Sequence, residues 1–149
     1  MTPVDGESSA VAFEAYQEQG DKLPFNMARD LHDLQIAFDQ MKKTPDFVYD
    51  QVFRQKMVDY LNNYVNDYND DVKNGTLSAD QQIAFSDLNE DLNVVGLISA
   101  PHDGPLNQPN DNMSIQPYLE QLAKNDDKVN WIDVINDAIN SILGTPSQS

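Results

Sequence analysis

The 149-residue sequence has no cysteine, no long apolar run and few basic residues. Without cysteine there are no disulfides, no thiol nucleophile and no thiolate metal site. No apolar stretch approaches the ~20 residues of a membrane-spanning helix, and the first residues lack the basic and apolar regions of a secretion signal. We therefore expect a cytoplasmic protein of the source or host cell that does not contact a membrane, with a secreted or virion-associated protein left open.

Acidic residues far outnumber basic ones. Nine Lys and Arg stand against 25 Asp and Glu, which gives a formal net charge of −16 at pH 7. A surface this negative repels phosphate backbones and anionic lipids, and it attracts proteins with basic patches. The composition thus argues against direct binding of nucleic acid and favours a basic protein partner, including one that itself binds nucleic acid. The alternative is charge that serves solubility alone.

Apolar residues recur at helical spacing along most of the chain. The clearest stripe advances in steps of four and three, like one face of a helix, and consists of Met27, Leu31, Leu34, Phe38 and Met41. A longer helix is predicted to begin at Pro45, with Thr44 as its N-cap, and to end before Gly75. Its tyrosine row is more typical of a core edge than of a binding strip. That row is Tyr60, Tyr64 and Tyr68.

Shorter segments with helical spacing cover residues 8–20, 78–95, 114–124 and 126–143. We expect Pro117 in the first turn of the third of these helices, and Asp126 or Asp127 as the N-cap of the fourth. The fourth has a stripe of Ile132, Ile135, Ile139 and Ile142. No pair of strand-like segments with a hairpin turn occurs. The sequence therefore predicts an all-α fold, a single-domain bundle of five or six helices over residues 1–149.

One long loop is predicted over residues 96–113, where three prolines and two glycines interrupt any period. Loops of this length are often functional, so it is a candidate contact surface. The alternative is a connection that only spans the bundle from end to end. We expect the loop to expose Leu97, Ile98 and Leu106 to a partner. The ends of the chain, residues 1–8 and 145–149, are predicted to be frayed.

Residues 70–81 resemble the calcium loop of EF-hand proteins over twelve residues. Asp70, Asn74 and Gly75 match its first, fifth and sixth positions, whereas Val72 and Gln81 replace the third ligand and the final glutamate. The same residues suit a corner without metal, in which Gly75 ends one helix and a capping box opens the next. We favour the corner and keep Asp70, Asn74 and Gln81 as a weak candidate calcium site.

No arrangement typical of a catalytic site occurs in the sequence. His32 is expected on a solvated helix face, and His102 beside Asp103 is the one residue that resembles a catalytic base. No nucleophile can be assigned to it, and no phosphate-binding glycine loop is found. We therefore predict a noncatalytic protein without a cofactor.

No lysine or arginine lies between Lys73 and Lys124. The helix over 78–95 and the long loop are predicted to form one negative surface that binds a partner. Its acidic residues are Asp80, Asp87, Glu90, Asp91, Asp103 and Asp111. The leading hypothesis is an acidic domain that engages a basic protein as an inhibitor, a DNA mimic or an immunity-type protein. In charge and size alone the chain resembles acidic DNA-mimic inhibitors of phages and mobile elements.

Two other functions are consistent with the sequence. A structural or assembly component, of a virion or a secreted apparatus, would use the tyrosine row and the aliphatic last helix to self-associate. A calcium-responsive helical protein would use residues 70–81.

Overall fold

A computed structural model describes residues 23–99, 105–107, 112–124 and 130–143. These residues form an all-α bundle, as predicted, with five α-helices and one short 3-10 helix. The elements are α1 Phe25–Lys43, the 3-10 helix Pro45–Tyr49, α2 Gln51–Asn74, α3 Ala79–Val94, α4 Asn112–Lys124 and α5 Trp131–Leu143. The predicted helix over residues 8–20 and the ends expected to fray lie outside the described residues.

Helix α5 packs between α1 and α3, while α2 packs between α1 and α4. The 3-10 helix lies against α1, α2 and α4. The apolar stripe predicted on α1 is confirmed, since each of its five residues is fully buried. The four isoleucines of α5 are also buried, and Ile142 is the most exposed of them at 7%. Both stripes therefore face one common core.

Three polar contacts set the register between α1 and α5. Gln35 Nε2 donates to Asn140 Oδ1 at 2.7 Å. Asn136 Nδ2 donates to Asp39 Oδ1 at 3.3 Å. Lys42 Nζ donates to Asp133 Oδ1 at 2.5 Å. As the residue number rises along α1 it falls along α5, so the two helices are antiparallel.

The long helix predicted to begin at Pro45 is interrupted, which corrects the sequence prediction. Pro45–Tyr49 forms a separate 3-10 helix, and the Thr44 side chain makes no capping hydrogen bond. Asp50 is extended, and its Oδ1 accepts from the backbone N–H of Val52 at 2.7 Å and of Phe53 at 3.2 Å. A carboxylate at the N-cap also meets the positive end of the helix dipole. The stronger cap therefore starts α2 at Gln51.

The starts of α4 and α5 also differ from the predictions. Helix α4 begins at Asn112, so Pro117 lies inside the helix and not in its first turn. In the first turn the missing N–H of proline would cost no hydrogen bond, whereas inside the helix it removes one. Helix α5 begins at Trp131, because Asn130 Oδ1 accepts from the N–H groups of Ile132 at 3.0 Å and Asp133 at 3.3 Å. The alternative caps, residues 126 and 127, lie outside the described residues.

An aromatic cluster joins α2 to α3. Tyr64 is fully buried, and its hydroxyl donates to Asn89 Oδ1 at 2.5 Å. The ring centroids of Tyr64 and Tyr68 lie 6.2 Å and 5.4 Å from that of Phe85. Because Tyr60 and Tyr68 are half-buried, the tyrosine row forms the edge of the core, as predicted.

Gly96 ends α3 at a position that no other residue fits well. Its φ of +88° lies in the left-handed region, and a Cβ built there would overlap the ring of Tyr118 on α4. The Tyr118 ring thus lies directly on the Gly96 backbone. Gly75 has a similar φ of +75°, but the space around it is open.

The two glycines allow a matched test of this close packing. We expect Gly75→Ala to lower the free energy of unfolding by about 1 kcal/mol, which is the backbone cost alone. Gly96→Ala should lower it by about 2–4 kcal/mol, because overpacking against Tyr118 is added. Urea unfolding of both variants measures the difference. Equal losses would show that Tyr118 does not pack closely on Gly96 in solution.

Candidate functional site

Helix α3 carries four acidic residues and no basic one. Ser78 and Gln81 cap its N-terminus reciprocally, and Asp80 in the first turn is favourably placed against the helix dipole. Asp87 and Glu90 are exposed, and Asp91 is half-buried. Of the acidic surface predicted from the sequence, the part on α3 is therefore accessible. Residues 103 and 111 lie outside the described part of the chain.

Helix α5 contributes a further carboxylate, which the sequence reasoning missed. Asp137 lies across from α3, and an open groove of about 380 Å³ lies on the surface between the two packed helices. Its lining consists of Ala84, Asp87, Glu90, Asp91, Asp137, Ala138 and Ser141. The absence of Lys and Arg after Lys128 was a signal that α5 could extend the negative surface. We call this region the acidic groove.

The carboxylates that α3 contributes to the acidic groove repel one another. Partial burial, and then the charges of Asp87 and Glu90, raise the pKa of Asp91 above its usual value. Asp87 and Asp91 are separated by four residues, a spacing at which like charges destabilise a helix. Glu90 and Asp91 also lie near the negative C-terminal end of the dipole of α3, which has no basic residue in its last turn. A cation in the groove would relieve all of these repulsions.

The predicted exposure of the apolar loop residues is wrong. Leu97, Ile98 and Leu106 were expected to be exposed, but they are 0%, 5% and 7% exposed and belong to the core. The Asn69 side chain fixes the loop on α2, since its Oδ1 accepts from the Leu106 N–H and its Nδ2 donates to the Leu106 carbonyl, both at 3.0 Å. Ser99 and Asn107 pair in an isolated antiparallel bridge. The described parts of the loop therefore bury these side chains.

The stretch resembling a calcium loop forms a corner between α2 and α3, as we favoured. Asp70 and Asn74 lie in the last two turns of α2, and Gly75 provides the left-handed cap. Gln81 Oε1 accepts from the Ser78 N–H at 2.8 Å. A capping box thus uses the side chain that the calcium loop would need as its twelfth ligand.

Among the described residues there is no metal-ligating cluster. No group of three His, Cys, Asp or Glu within them could hold a metal ion. His32 was expected to be solvated, but it is half-buried, and burial lowers its pKa. His102 lies outside the described residues.

A second titratable cluster is buried between α1 and α2. Asp30 is 2% exposed, and its Oδ1 accepts weakly from Arg29 at 3.3 Å. Among the described residues its buried Oδ2 has no donor, whereas Asp67 lies close enough to share a proton. Burial, followed by the hydrogen bond and charge of Asp67, raises the pKa of Asp30 from 3.8 to about 9, although Arg29 opposes the shift. Burial beside Asp67 therefore favours the protonated form of Asp30.

This proton makes stability depend on pH. Because the pKa of Asp30 rises on folding, the folded state binds more protons between pH 3.8 and about 9, and stability falls as pH rises through that window. Asp30→Asn keeps a donor at every pH, so we expect its stability relative to wild type to increase steadily from pH 4 to pH 9. Denaturant unfolding across this range measures it. The exposed Asp59→Asn serves as the control, and parallel wild-type and Asp30→Asn curves would contradict the assignment.

Comparisons with other proteins give no guide to function. No protein-family model, curated protein or solved structure matches this chain. Among the described helices, none combines the length and apolarity needed to cross a membrane.

Proposed function

We propose that this chain is a noncatalytic protein-binding domain whose acidic groove engages a basic protein. The supporting observation is that α3 and α5 carry six acidic residues and no Lys or Arg, and that four of these carboxylates line one groove. A groove of one charge sign raises the local concentration of an oppositely charged partner and speeds its encounter. An inhibitor, DNA mimic or immunity-type protein would work in this way.

The position of the charges favours binding over solubility alone. Charge that only keeps a protein soluble can lie anywhere on the surface, and an acidic residue is least favourable at a helix C-terminus beside other acids. Glu90 and Asp91 occupy such a position on α3. A local arrangement that lowers stability is typical of functional sites.

The test compares two charge reversals of equal size. Glu90→Lys with Asp91→Lys changes the acidic groove, whereas Asp59→Lys with Asp70→Lys changes exposed acids of α2 by the same net charge. Each protein is immobilised and exposed to nuclease-treated lysate of the source or host cell, and bound proteins are eluted with rising salt. We expect wild type and the α2 variant to retain a basic protein that salt releases, and the groove variant to lose it.

Two results would contradict the proposal. The first is equal retention by all three proteins. The second is equal loss by the two variants, which would show that net charge alone matters. Circular dichroism of each variant verifies that the helices remain folded.

A self-assembling component is the second candidate. Of the residues first suggested for it, Tyr64 and the isoleucine stripe of α5 are buried within the chain, whereas Tyr60 and Tyr68 are half-buried. An exposed apolar patch where the 3-10 helix meets α2 supports this candidate. In it Phe47 is 37% exposed, Tyr49 is 54% exposed and Val52 is 68% exposed. Light scattering over a wide concentration range tests it, and a strict monomer would exclude it.

A further inference from the structure

A second pocket, which we call the apolar pocket, lies at one end of the α3/α5 pair, where α4 contributes part of its lining. Val94 lies with Trp131 at one end of the α3/α5 pair, and Ala84 lies with Ser141 at the other, so these helices are antiparallel. On α3, residues 84, 87, 91 and 94 advance in steps of three and four and form one stripe along the groove. The stripe is acidic in its middle and apolar at Val94. At a rise of 1.5 Å per residue, the groove extends for roughly 15 Å.

The apolar pocket has the size and walls to hold one side chain. It has a volume of about 270 Å³, and its lining consists of Val94, Val95, Tyr118, Gln121, Leu122 and Trp131. This is just below the ~300–1,000 Å³ of pockets that enclose small-molecule ligands. Val94 and Tyr118 are 60% and 43% exposed although both are apolar in character. Exposed apolar side chains beside a groove are typical of protein contact sites.

The walls of the pocket are held in place before any partner binds. The Tyr118 ring lies on the backbone of Gly96, where a Cβ would overlap it. Asn130 caps α5 immediately before Trp131. A preformed pocket loses less side-chain entropy on binding than one that must be ordered by its partner.

We propose that the groove binds a basic helical segment of the partner protein, anchored by one bulky apolar side chain in the pocket of Val94, Tyr118 and Trp131. Lysines or arginines of that segment would pair with the carboxylates of Asp87, Asp91 and Asp137. The choice of occupant rests on charge: the helix stripe that reaches the pocket at Val94 also lines the acidic groove, which has four carboxylates and no basic side chain in its lining. Because the α3 carboxylates repeat at helical spacing, basic residues one turn apart on a facing helix match them. This inference rests on the proposed function.

Three synthetic peptides of equal length serve as probes. The first places one leucine and three lysines on a single helical face. The second replaces the leucine with alanine, and the third replaces the lysines with glutamine. Trp131 is the single tryptophan of the chain, so its fluorescence reports the environment of the pocket directly. Calorimetry measures the same affinities independently.

We expect the first peptide to saturate the protein and shift the Trp131 emission to shorter wavelength. Loss of the leucine should weaken binding about tenfold, because a buried apolar anchor is removed. Loss of the lysines should weaken it at least as much at low salt, because the carboxylates of the groove are left without partners.

A pair of exposed aliphatic residues on α3 supplies the matched protein variants. Val94→Ser alters the pocket and should weaken the leucine–lysine peptide about fivefold. Ile83→Ser alters a residue that is 67% exposed but does not line the groove, and it should leave the affinity unchanged. Both positions are exposed, so neither substitution should prevent folding.

The outcomes separate this inference from the proposed function. If affinity depends on the lysines but not on the leucine or on Val94, anchoring by an apolar side chain in the pocket is wrong. Binding of a basic segment by the acidic groove would still stand. If the glutamine peptide binds as well as the lysine peptide, the assignment of a basic partner is overturned. If Val94→Ser instead converts a dimer to a monomer, the occupant of the pocket is a second copy of the chain, and the inference is also wrong.

Discussion

Burial of the isoleucine stripe of α5 is the constraint on which the acidic groove depends. Each fully buried isoleucine contributes roughly 1.5–3 kcal/mol, whereas each exposed polar contact between α1 and α5 contributes at most about 1 kcal/mol. Hydrophobic burial therefore fixes the axis of α5, and the polar contacts fix only its register. Once the stripe faces the core, one flank of α5 contacts α1 and the other faces α3. Asp137, on the second flank, then completes the groove.

Helix α3 is stabilised at its N-terminus by capping and destabilised near its C-terminus by its acidic residues. The capping box at Ser78 and the dipole-matched Asp80 stabilise the start of the helix, while the acids at its other end oppose the dipole and one another. The apolar side of the helix compensates, because Phe85, Leu88 and Leu92 are fully buried. The core thus stabilises a surface on which like charges lie close together. Such a surface is consistent with binding of a basic segment.

Features governed by neighbouring residues could be predicted from the sequence. The apolar stripe of α1 and the corner at Gly75 follow from helical spacing and capping rules, and both are found in the structure. Capping rules could not decide between two suitable N-cap residues, Thr44 and Asp50. In the structure the Asp50 carboxylate caps α2, and the Thr44 side chain makes no capping hydrogen bond. Asn130 was missed in favour of acids a few residues earlier, for the same reason.

Features that depend on distant contacts were harder to predict. A loop sequence does not show that its leucines turn inward, and Leu106 is buried where Asn69 of α2 pairs with its backbone. Asp137 joins the site only because α5 packs antiparallel to α3, far away in the sequence. The charge of the site could therefore be predicted, whereas its boundary could not.

The most direct test of the account is to map which backbone amides respond to a basic ligand. The ¹⁵N-labelled chain is titrated with the leucine–lysine peptide while ¹H–¹⁵N spectra are recorded. The account predicts shifts concentrated on the facing sides of α3 and α5, around Asp91, Val94 and Trp131. Shifts spread evenly over the acids of α2, such as Asp59 and Asp70, would contradict it, because they would show that the peptide responds to overall charge and not to the groove.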